Sequence, residues 1–323
     1  MSQTDSLLSR RQILTTAGGL AAIAPAAAAV SRADAPAPKP NILIIIADQV
    51  RGDFIGAAGR NPMNVTPNID AMARQGTLYR NAFTNQPVCS PSRACFFTGQ
   101  YGARNGVWRN TGNGVAISPN AATIATELTK AGYSANYIGK WHLSEMRGGP
   151  VEPSFRGGFL NLWQASNELE LTSHPYQGDL YDGDGQPIHF ENEYRVDFIT
   201  GLATRFLRNT SKSSPFLLVV SFLEPHHQND MGRVVAPKGY AERYQNPFVP
   251  EDVKHFPGNW QEQLPDYYGA LKRVDENIGE IRKTLSETGL DQNTIVVFIS
   301  DHGCHFMTRN TDAAGMTRPP TSH

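Results

Sequence analysis

The sequence has almost no net charge and contains no basic stripe. Its 29 lysines and arginines are balanced by 30 aspartates and glutamates, giving a formal net charge of −1 at pH 7. Proteins that bind nucleic acid use clustered positive charge to neutralise phosphates, so we expect no nucleic-acid partner. No internal repeat is visible, and the chain is long enough for one large domain.

Cysteine is scarce. The chain has 3 cysteines, at positions 89, 95 and 304. An odd and small number predicts no disulfide framework. If a modification consumes Cys89, Cys95 and Cys304 remain to pair with each other, although Cys95 fits better as a buried packing residue.

The sequence also lacks a strongly apolar run of membrane-spanning length. Residues 13–30 are rich in Ala and Gly, are interrupted by Pro25, and follow the pair Arg10-Arg11. This pattern favours a cleaved twin-arginine signal peptide at residues 1–35 over a transmembrane anchor, with a Pro-rich linker at residues 36–40. It predicts a bacterial protein that folds in the cytoplasm and is exported by the twin-arginine translocase. We therefore expect a periplasmic or secreted location.

Short apolar runs rich in β-branched residues predict buried strands. They occupy residues 41–47, 216–221 and 294–300. Such runs are typical of parallel strands covered on both faces of a sheet. Residues 148–184 are rich in Gly, Pro, Asp and Tyr and show little periodicity, so we expect a long functional loop or insertion there.

Apolar residues at three- and four-residue spacing predict helices between these strands. They mark residues 123–130, residues 195–208 and a long helix that ends near Gly289, and a further strand is expected at residues 134–138. Strands that alternate with helices predict an α/β fold. Its sheet is expected to be doubly wound and mostly parallel, with helices on both faces.

Polar residues follow three of the apolar runs, where each predicted strand ends. The three ends contain Asp48-Gln49, Pro225-His226 and Asp301-His302. Ligands bind beyond the carboxyl ends of such strands, and a buried carboxylate needs a partner. A divalent cation explains Asp48 and Asp301 together, with Gln49 as a neutral oxygen ligand that suits Ca²⁺ or Mg²⁺; His302 leaves Mn²⁺ or a transition metal open. The alternative is that each aspartate only caps the following turn.

The segment CSPSR, residues 89–93, is followed by Thr98-Gly99 and is predicted to run from a turn into a helix. A cysteine there would lie at a helix N-terminus, where free backbone N–H groups and the helix dipole favour a bound anion. Arg93 lies one turn further on and is expected to point back to the same place. The alternative is a small buried cysteine beside a helix-start proline.

This segment resembles the signature of type I sulfatases of the alkaline phosphatase superfamily, whose cysteine is oxidised to Cα-formylglycine. Five motifs occur in the family's order, namely Asp48-Gln49, residues 89–99, Gly139-Lys140-Trp141-His142, Pro225-His226 and Asp301-His302-Gly303. The resemblance implies an alkaline phosphatase-like catalytic domain at residues 41–310 and a formylglycine-generating enzyme as partner. It also implies one divalent cation, with Ca²⁺ favoured over Mg²⁺ and Mn²⁺, bound by Asp48, Gln49, the modified Cys89, Asp301 and His302. Gln49 replaces an aspartate found in many relatives, which lowers the charge of the site.

The mechanism implied by the resemblance is hydrolysis of a small-molecule or carbohydrate sulfate ester. The formylglycine hydrate attacks sulfur with one hydroxyl, while the cation, Arg93 and Lys140 neutralise charge on the sulfate oxygens. His226 is the candidate general acid, a role that Lys140 could share, and the assignment of acid and base between His226 and His142 stays open. His142 is the candidate base that lets the second hydroxyl expel sulfate. Relatives with the same nucleophile motif cleave phosphonate monoesters or phosphodiesters, so such a hydrolase is the alternative function.

The final segment departs from that family pattern. Full-length members continue well beyond the Asp301-His302-Gly303 segment with a further active-site lysine and a small C-terminal subdomain. Residues 311–323 show no periodicity, and the printed sequence ends at His323. The resemblance therefore implies an aberrant tail at residues 311–323 and a missing C-terminal subdomain. It leaves an inactive truncated remnant as a further alternative.

Overall fold

The computed structural model describes residues 38–308. The predicted signal peptide at residues 1–35 and the tail at residues 311–323 lie outside these residues, as does the first part of the linker. The described strands are β1 (Asn41–Ala47), β2 (Ser134–Lys140), β3 (Trp163–Ser166), β4 (Ser173–His174), β5 (Gln177–Tyr181), β6 (Pro187–Glu191), β7 (Phe216–Phe222) and β8 (Thr294–Ser300). The α-helices are α1 (Pro67–Gln75), α2 (Cys89–Thr98), α3 (Gly102–Asn105), α4 (Ile124–Lys130), α5 (Leu169–Thr172), α6 (Arg195–Asn209), α7 (Glu251–Lys254) and α8 (Trp260–Glu287).

The strands form one mixed sheet in the order β4-β5-β3-β2-β7-β1-β8, with β6 beside β5. β3, β2, β7, β1 and β8 run parallel to one another, whereas β5 pairs antiparallel with β3, β4 and β6. In the parallel part, Ile44 of β1 lies between Val219 of β7 and Val297 of β8. The predicted α/β fold with a mostly parallel sheet is therefore confirmed.

Local sequence signals account for most element boundaries. β1 and β8 coincide with the predicted runs, and α6 begins at the predicted residue. Thr123 caps α4, since its side chain accepts a hydrogen bond from the Thr126 N–H while the Thr126 hydroxyl oxygen accepts one from the Thr123 N–H. α8 ends at Glu287, and Gly289 follows in the left-handed conformation with φ 67°.

Successive side chains of β1 point alternately into two separate hydrophobic layers. Leu43 and Ile45 join the layer under α1, α6 and α8, whereas Ile44 and Ile46 join the layer that contains residues of α2 and α4. This alternation is the two-residue period of a strand covered on both faces. Trp141 lies fully buried among the aromatic side chains of the second layer. None of the helices in residues 38–308 is long and apolar enough to cross a membrane.

The prediction that β8 is covered on both faces is wrong. β8 is the last strand of the sheet in the described part of the chain, and 51% of Ile295 and 36% of Val297 are exposed. A run of β-branched residues has the same pattern in a central strand and at a sheet edge, because its neighbours lie elsewhere in the sequence.

Residues 148–184 are more regular than the predicted loop. They contain β3, α5, β4 and β5, which begin the antiparallel edge of the sheet. These elements have 4, 4, 2 and 5 residues, too short for a periodic pattern to emerge.

Candidate active site

The carboxyl ends of neighbouring parallel strands bring the two predicted aspartates together. Asp48 follows β1 and Asp301 follows β8, and Cys89 opens α2 beside them. One donor atom from each of Asp48, Cys89, Asp301 and His302 lies within 4.8 Å of the others, and all four residues are buried. That separation is within the span of two oxygen ligands on one ion.

Arg93 ties the two aspartates to the sheet. Its Nε donates to Asp301 at 2.9 Å and its Nη2 to Asp48 at 3.3 Å, while Nη1 donates to the Lys140 carbonyl at 2.8 Å and to the Ser221 hydroxyl at 2.9 Å. Four of the five N–H groups of a guanidinium are thus used by protein acceptors. The sequence predicts that Arg93 faces the substrate anion, and this structure gives it an additional anchoring role.

Lys140 lies at the end of β2 with its side chain fully buried. Its Nζ contacts Asp48 Oδ2 at 2.8 Å, Glu170 Oε1 at 2.9 Å and Cys89 Sγ at 3.8 Å. Burial alone would lower the pKa of Lys140, but the carboxylates of Asp48 and Glu170 outweigh it and raise that pKa. Lys140 is therefore a fixed positive charge beside residue 89.

Cys89 contacts both a histidine and a carboxylate. Its Sγ lies 3.1 Å from His302 Nε2 and 3.7 Å from Asp48 Oδ1. Burial and the Asp48 charge raise the pKa of the Cys89 thiol well above its usual value. Since the thiolate is the reactive form of cysteine, the unmodified side chain is a weak nucleophile here.

Gln49 and His302 lie beside Asp301 and Cys89. Gln49 has the left-handed φ of 70°, and its backbone N–H donates to Asp301 Oδ1 at 3.1 Å. Its Nε2 is buried and has no hydrogen-bond partner within residues 38–308. His302 Nδ1 lies 3.0 Å from the Gly303 carbonyl. Because a carbonyl only accepts, Nδ1 carries the proton and the Nε2 lone pair of a neutral His302 faces Cys89.

The two candidate proton-transfer histidines are both buried near Lys140. Burial, with the Lys140 charge, lowers the pKa of His142 to about 3, and burial with the neighbouring His227 lowers that of His226. His142 has φ 61°, and its Nδ1 has no partner within the described residues. His226 Nδ1 donates to the His227 carbonyl at 2.6 Å, which leaves its Nε2 as the unprotonated nitrogen.

All nine predicted site residues thus lie in one region, and the structure adds residues that the sequence analysis missed. Glu170 of α5 pairs with Lys140, and the Tyr137 hydroxyl donates to the Lys140 carbonyl at 2.6 Å. Ser221 accepts from Arg93. Glu170 lies in the aperiodic segment at residues 148–184, so no local pattern indicates it. Ser221 has one local signal, because it interrupts the apolar run of β7.

Comparisons with known proteins agree with this arrangement. The family model described as Sulfatase matches residues 40–320. The chain is 35% identical to the ulvan-active sulfatase of Formosa agariphila, a match that covers 82% of this chain and 50% of that protein. It is 31% identical to the arylsulfatase of Clostridium perfringens, with 82% and 63% covered. The chain therefore spans about half to just under two thirds of these relatives' length.

Further relatives share the sulfatase description. An N-acetylglucosamine-6-O-sulfatase of Bacteroides thetaiotaomicron is 26% identical, with 82% of this chain and 58% of that protein covered. The solved structure of the Bacteroides fragilis sulfatase yidJ matches with a TM-score of 0.75 and 28% identity, covering 86% of this chain and 65% of that one. Together with the match of the family model over residues 40–320, this shows that the chain belongs to the sulfatase family.

Proposed function

We propose that this protein hydrolyses sulfate esters, with residue 89 as the nucleophile after conversion of Cys89 to Cα-formylglycine. The observation that carries the proposal is the position of Cys89, whose Sγ lies 3.1 Å from His302 and 3.8 Å from Lys140. The hydrate of the aldehyde carries two hydroxyl groups. One is the nucleophile, and deprotonation of the other expels sulfate and regenerates the aldehyde.

A divalent cation fits the residues beside position 89. Asp48, Gln49, Asp301 and His302 would bind it, and the mainly hard oxygen donors favour Ca²⁺. Burial and the Asp48 charge raise the pKa of Asp301, a like-charge cost that a cation removes. Half a turn of the Gln49 amide would place an oxygen where the unpartnered Nε2 now lies. When bound, the ion supplies Lewis acidity and neutralises charge on sulfate.

The remaining residues divide into fixed charges and proton carriers. Lys140 keeps its proton, because Asp48 and Glu170 outweigh the effect of burial on its pKa. It therefore suits electrostatic stabilisation of the sulfate oxygens better than proton donation, which favours His226 as the general acid. A bound sulfate ester adds negative charge beside His226 and so favours its protonated form. His142, with a pKa of about 3, is neutral and able to accept a proton.

The substrate class is proposed from the relatives. The ulvan-active sulfatase and the N-acetylglucosamine-6-O-sulfatase are named for carbohydrate sulfates, which favours a carbohydrate sulfate ester here as well. We also retain the proposals of export by the twin-arginine translocase and of maturation by a formylglycine-generating enzyme. Maturation must precede export if the protein crosses the membrane folded.

The test is co-expression with a formylglycine-generating enzyme, mass measurement of the peptide that contains residue 89, and assay with 4-nitrophenyl sulfate and Ca²⁺. We expect turnover that is lost in Cys89→Ala. Cys95→Ala is the matched control, since Cys95 is a second buried cysteine of the same helix and should retain turnover. Aldehyde-containing protein that cleaves bis(4-nitrophenyl) phosphate in preference to the sulfate would contradict the proposal. Aldehyde-containing protein with no turnover would support the inactive remnant instead.

A further inference from the structure

We infer that Glu170 is a positioning residue that acts through Lys140 and fixes its ammonium group against residue 89. The inference rests on the proposed function. Glu170 lies in α5, outside the five sequence motifs, and its Oε1 lies 2.9 Å from Lys140 Nζ with both side chains buried.

The geometry gives each N–H of Lys140 a direction. An ammonium group has three donors. One reaches Asp48 Oδ2 at 2.8 Å and a second reaches Glu170 Oε1 at 2.9 Å. Because two donors are held by separate carboxylates, the third is left for the region of Cys89, whose Sγ lies 3.8 Å away. Without Glu170, Lys140 could pair with Asp48 alone and rotate freely about that contact.

The charge balance agrees with this role. Burial would raise the pKa of Glu170, but the charge of Lys140 outweighs it and lowers that pKa to about 2. Glu170 is therefore a carboxylate throughout the neutral range. A negative charge this close to a sulfate site would repel the substrate if it were unpaired, so its pairing with Lys140 is a condition for anion binding.

α5 has only 4 residues and needs contacts from outside the helix to hold Glu170 in place. A buried polar network supplies them. The Glu170 carbonyl accepts from Gln228 Nε2 at 3.0 Å, and Gln228 Oε1 accepts from Arg195 Nη1 at 3.2 Å. Arg195 in turn pairs with Glu224 at 2.8 Å. Glu224 and Gln228 flank His226, so the same network fixes the candidate acid and the partner of Lys140.

Glu168 provides a matched control. It is a second buried carboxylate, two residues before Glu170, but it pairs with Arg147 at 3.1 Å instead of Lys140. Glu168→Gln therefore tests the removal of a nearby charge from the same segment without removing a direct ion-pair partner of Lys140.

The experiment is a double-mutant cycle with Glu170→Gln and Lys140→Met, near-isosteric changes chosen to preserve folding, on aldehyde-verified enzyme with Ca²⁺ and 4-nitrophenyl sulfate. We expect Glu170→Gln to lower kcat/KM about 10-fold, and Glu170→Ala about 50-fold. In the Lys140→Met background neither change should lower kcat/KM, because Glu170 then has no ammonium group to position, and removal of its unpaired charge should leave kcat/KM equal or higher. Glu168→Gln should stay within about 2-fold of the wild type.

A second readout does not depend on turnover. In the Cys89→Ala background, calorimetry with inorganic sulfate should show binding weakened about 10-fold by Glu170→Ala, with no such effect when Lys140 is methionine. The inference is overturned if the Glu170 effects are the same with and without Lys140, or if Glu168→Gln matches them. Absence of turnover in the verified wild type would overturn the proposed function alone, because the sulfate-binding cycle still decides the role of Glu170.

Discussion

Gly139 approaches Ser221 so closely that a side chain at position 139 would collide with the neighbouring strand. A Cβ at position 139 would overlap the Ser221 carbonyl oxygen, and Gly139 has φ 106°, a conformation that L-amino acids rarely adopt. This approach lets the Lys140 carbonyl and Ser221 share one guanidinium, that of Arg93. The glycine of the Gly139-Lys140-Trp141-His142 segment is therefore required by packing against β7.

Gly139→Ala should destabilise the protein by more than about 3 kcal/mol, since it combines backbone strain with a clash against main-chain atoms. Gly201→Ala is the control, because Gly201 lies in α6 with nothing within 4 Å of an added Cβ. That change should be neutral or stabilising by up to about 1 kcal/mol. Urea unfolding measures both, and equal free energies of unfolding for the two variants would contradict the packing argument.

Removal of the cation should lower both stability and activity. Ligand binding to the folded state stabilises it by about 2.7 kcal/mol when the free ligand is at a hundred times its Kd. EDTA should therefore lower the thermal midpoint, and added Ca²⁺ should restore it. Asp301→Asn should abolish this Ca²⁺-dependent shift, whereas Asp252→Asn should retain it, because Asp252 is a half-exposed carboxylate paired with Arg51. A Ca²⁺ response that survives Asp301→Asn would place the ion elsewhere.

Arg93→Lys should be far from conservative. A lysine cannot reproduce the four hydrogen bonds that Arg93 donates to Asp301, Asp48, Lys140 and Ser221. Breaking a buried ion pair from one side costs about 3–5 kcal/mol. We expect a loss of this size in urea unfolding, together with loss of the Ca²⁺ response. Arg282→Lys, on the partly exposed side of α8, should cost less than about 1 kcal/mol and tests whether any arginine would show the effect.

The buried His142 should make the fold sensitive to acid. Burial with the Lys140 charge holds its pKa at about 3 in the folded state, whereas an unfolded imidazole titrates near 6.5. Between these values only the unfolded chain binds the proton, so the free energy of unfolding falls as the pH drops below about 6.5. His142→Asn should flatten this dependence in urea unfolding measured between about pH 5 and 7. Parallel curves for the wild type and His142→Asn would disprove the assignment.

The sequence predicts those parts of the fold that depend on local patterning. The apolar run of β1 alternates between two layers, and Thr123 caps α4, so both have nearby signals. The exposure of Ile295 and Val297 does not follow from their own segment, because it depends on which strand lies next to β8. The sequence does not predict strands β3, β4 and β5, between residues 163 and 181, because each is too short to show a periodic pattern.

The same distinction applies to the site. Motif spacing indicates the residues at the strand ends, because parallel strands bring their carboxyl ends to one edge. It does not indicate Glu170, whose contact with Lys140 depends on a four-residue helix in an aperiodic segment. Nor does it indicate the left-handed backbone of Gln49 and His142, which tertiary contacts impose.

Arg195 has a consequence for local dynamics. Arg195 contacts Glu224 and Gln228, which flank His226, and Gln228 donates to the carbonyl of Glu170 in α5. These contacts join the turn that contains His226 to α5. Neither piece can detach without breaking a buried charge pair, so both should open in one cooperative event. In native-state hydrogen exchange, the amides around residues 170 and 226 should share one opening free energy, and weakening Arg195 should accelerate both together. Arg195, which takes no part in the proposed chemistry, would then determine how often His226 and Glu170 are both in their folded positions at the same time.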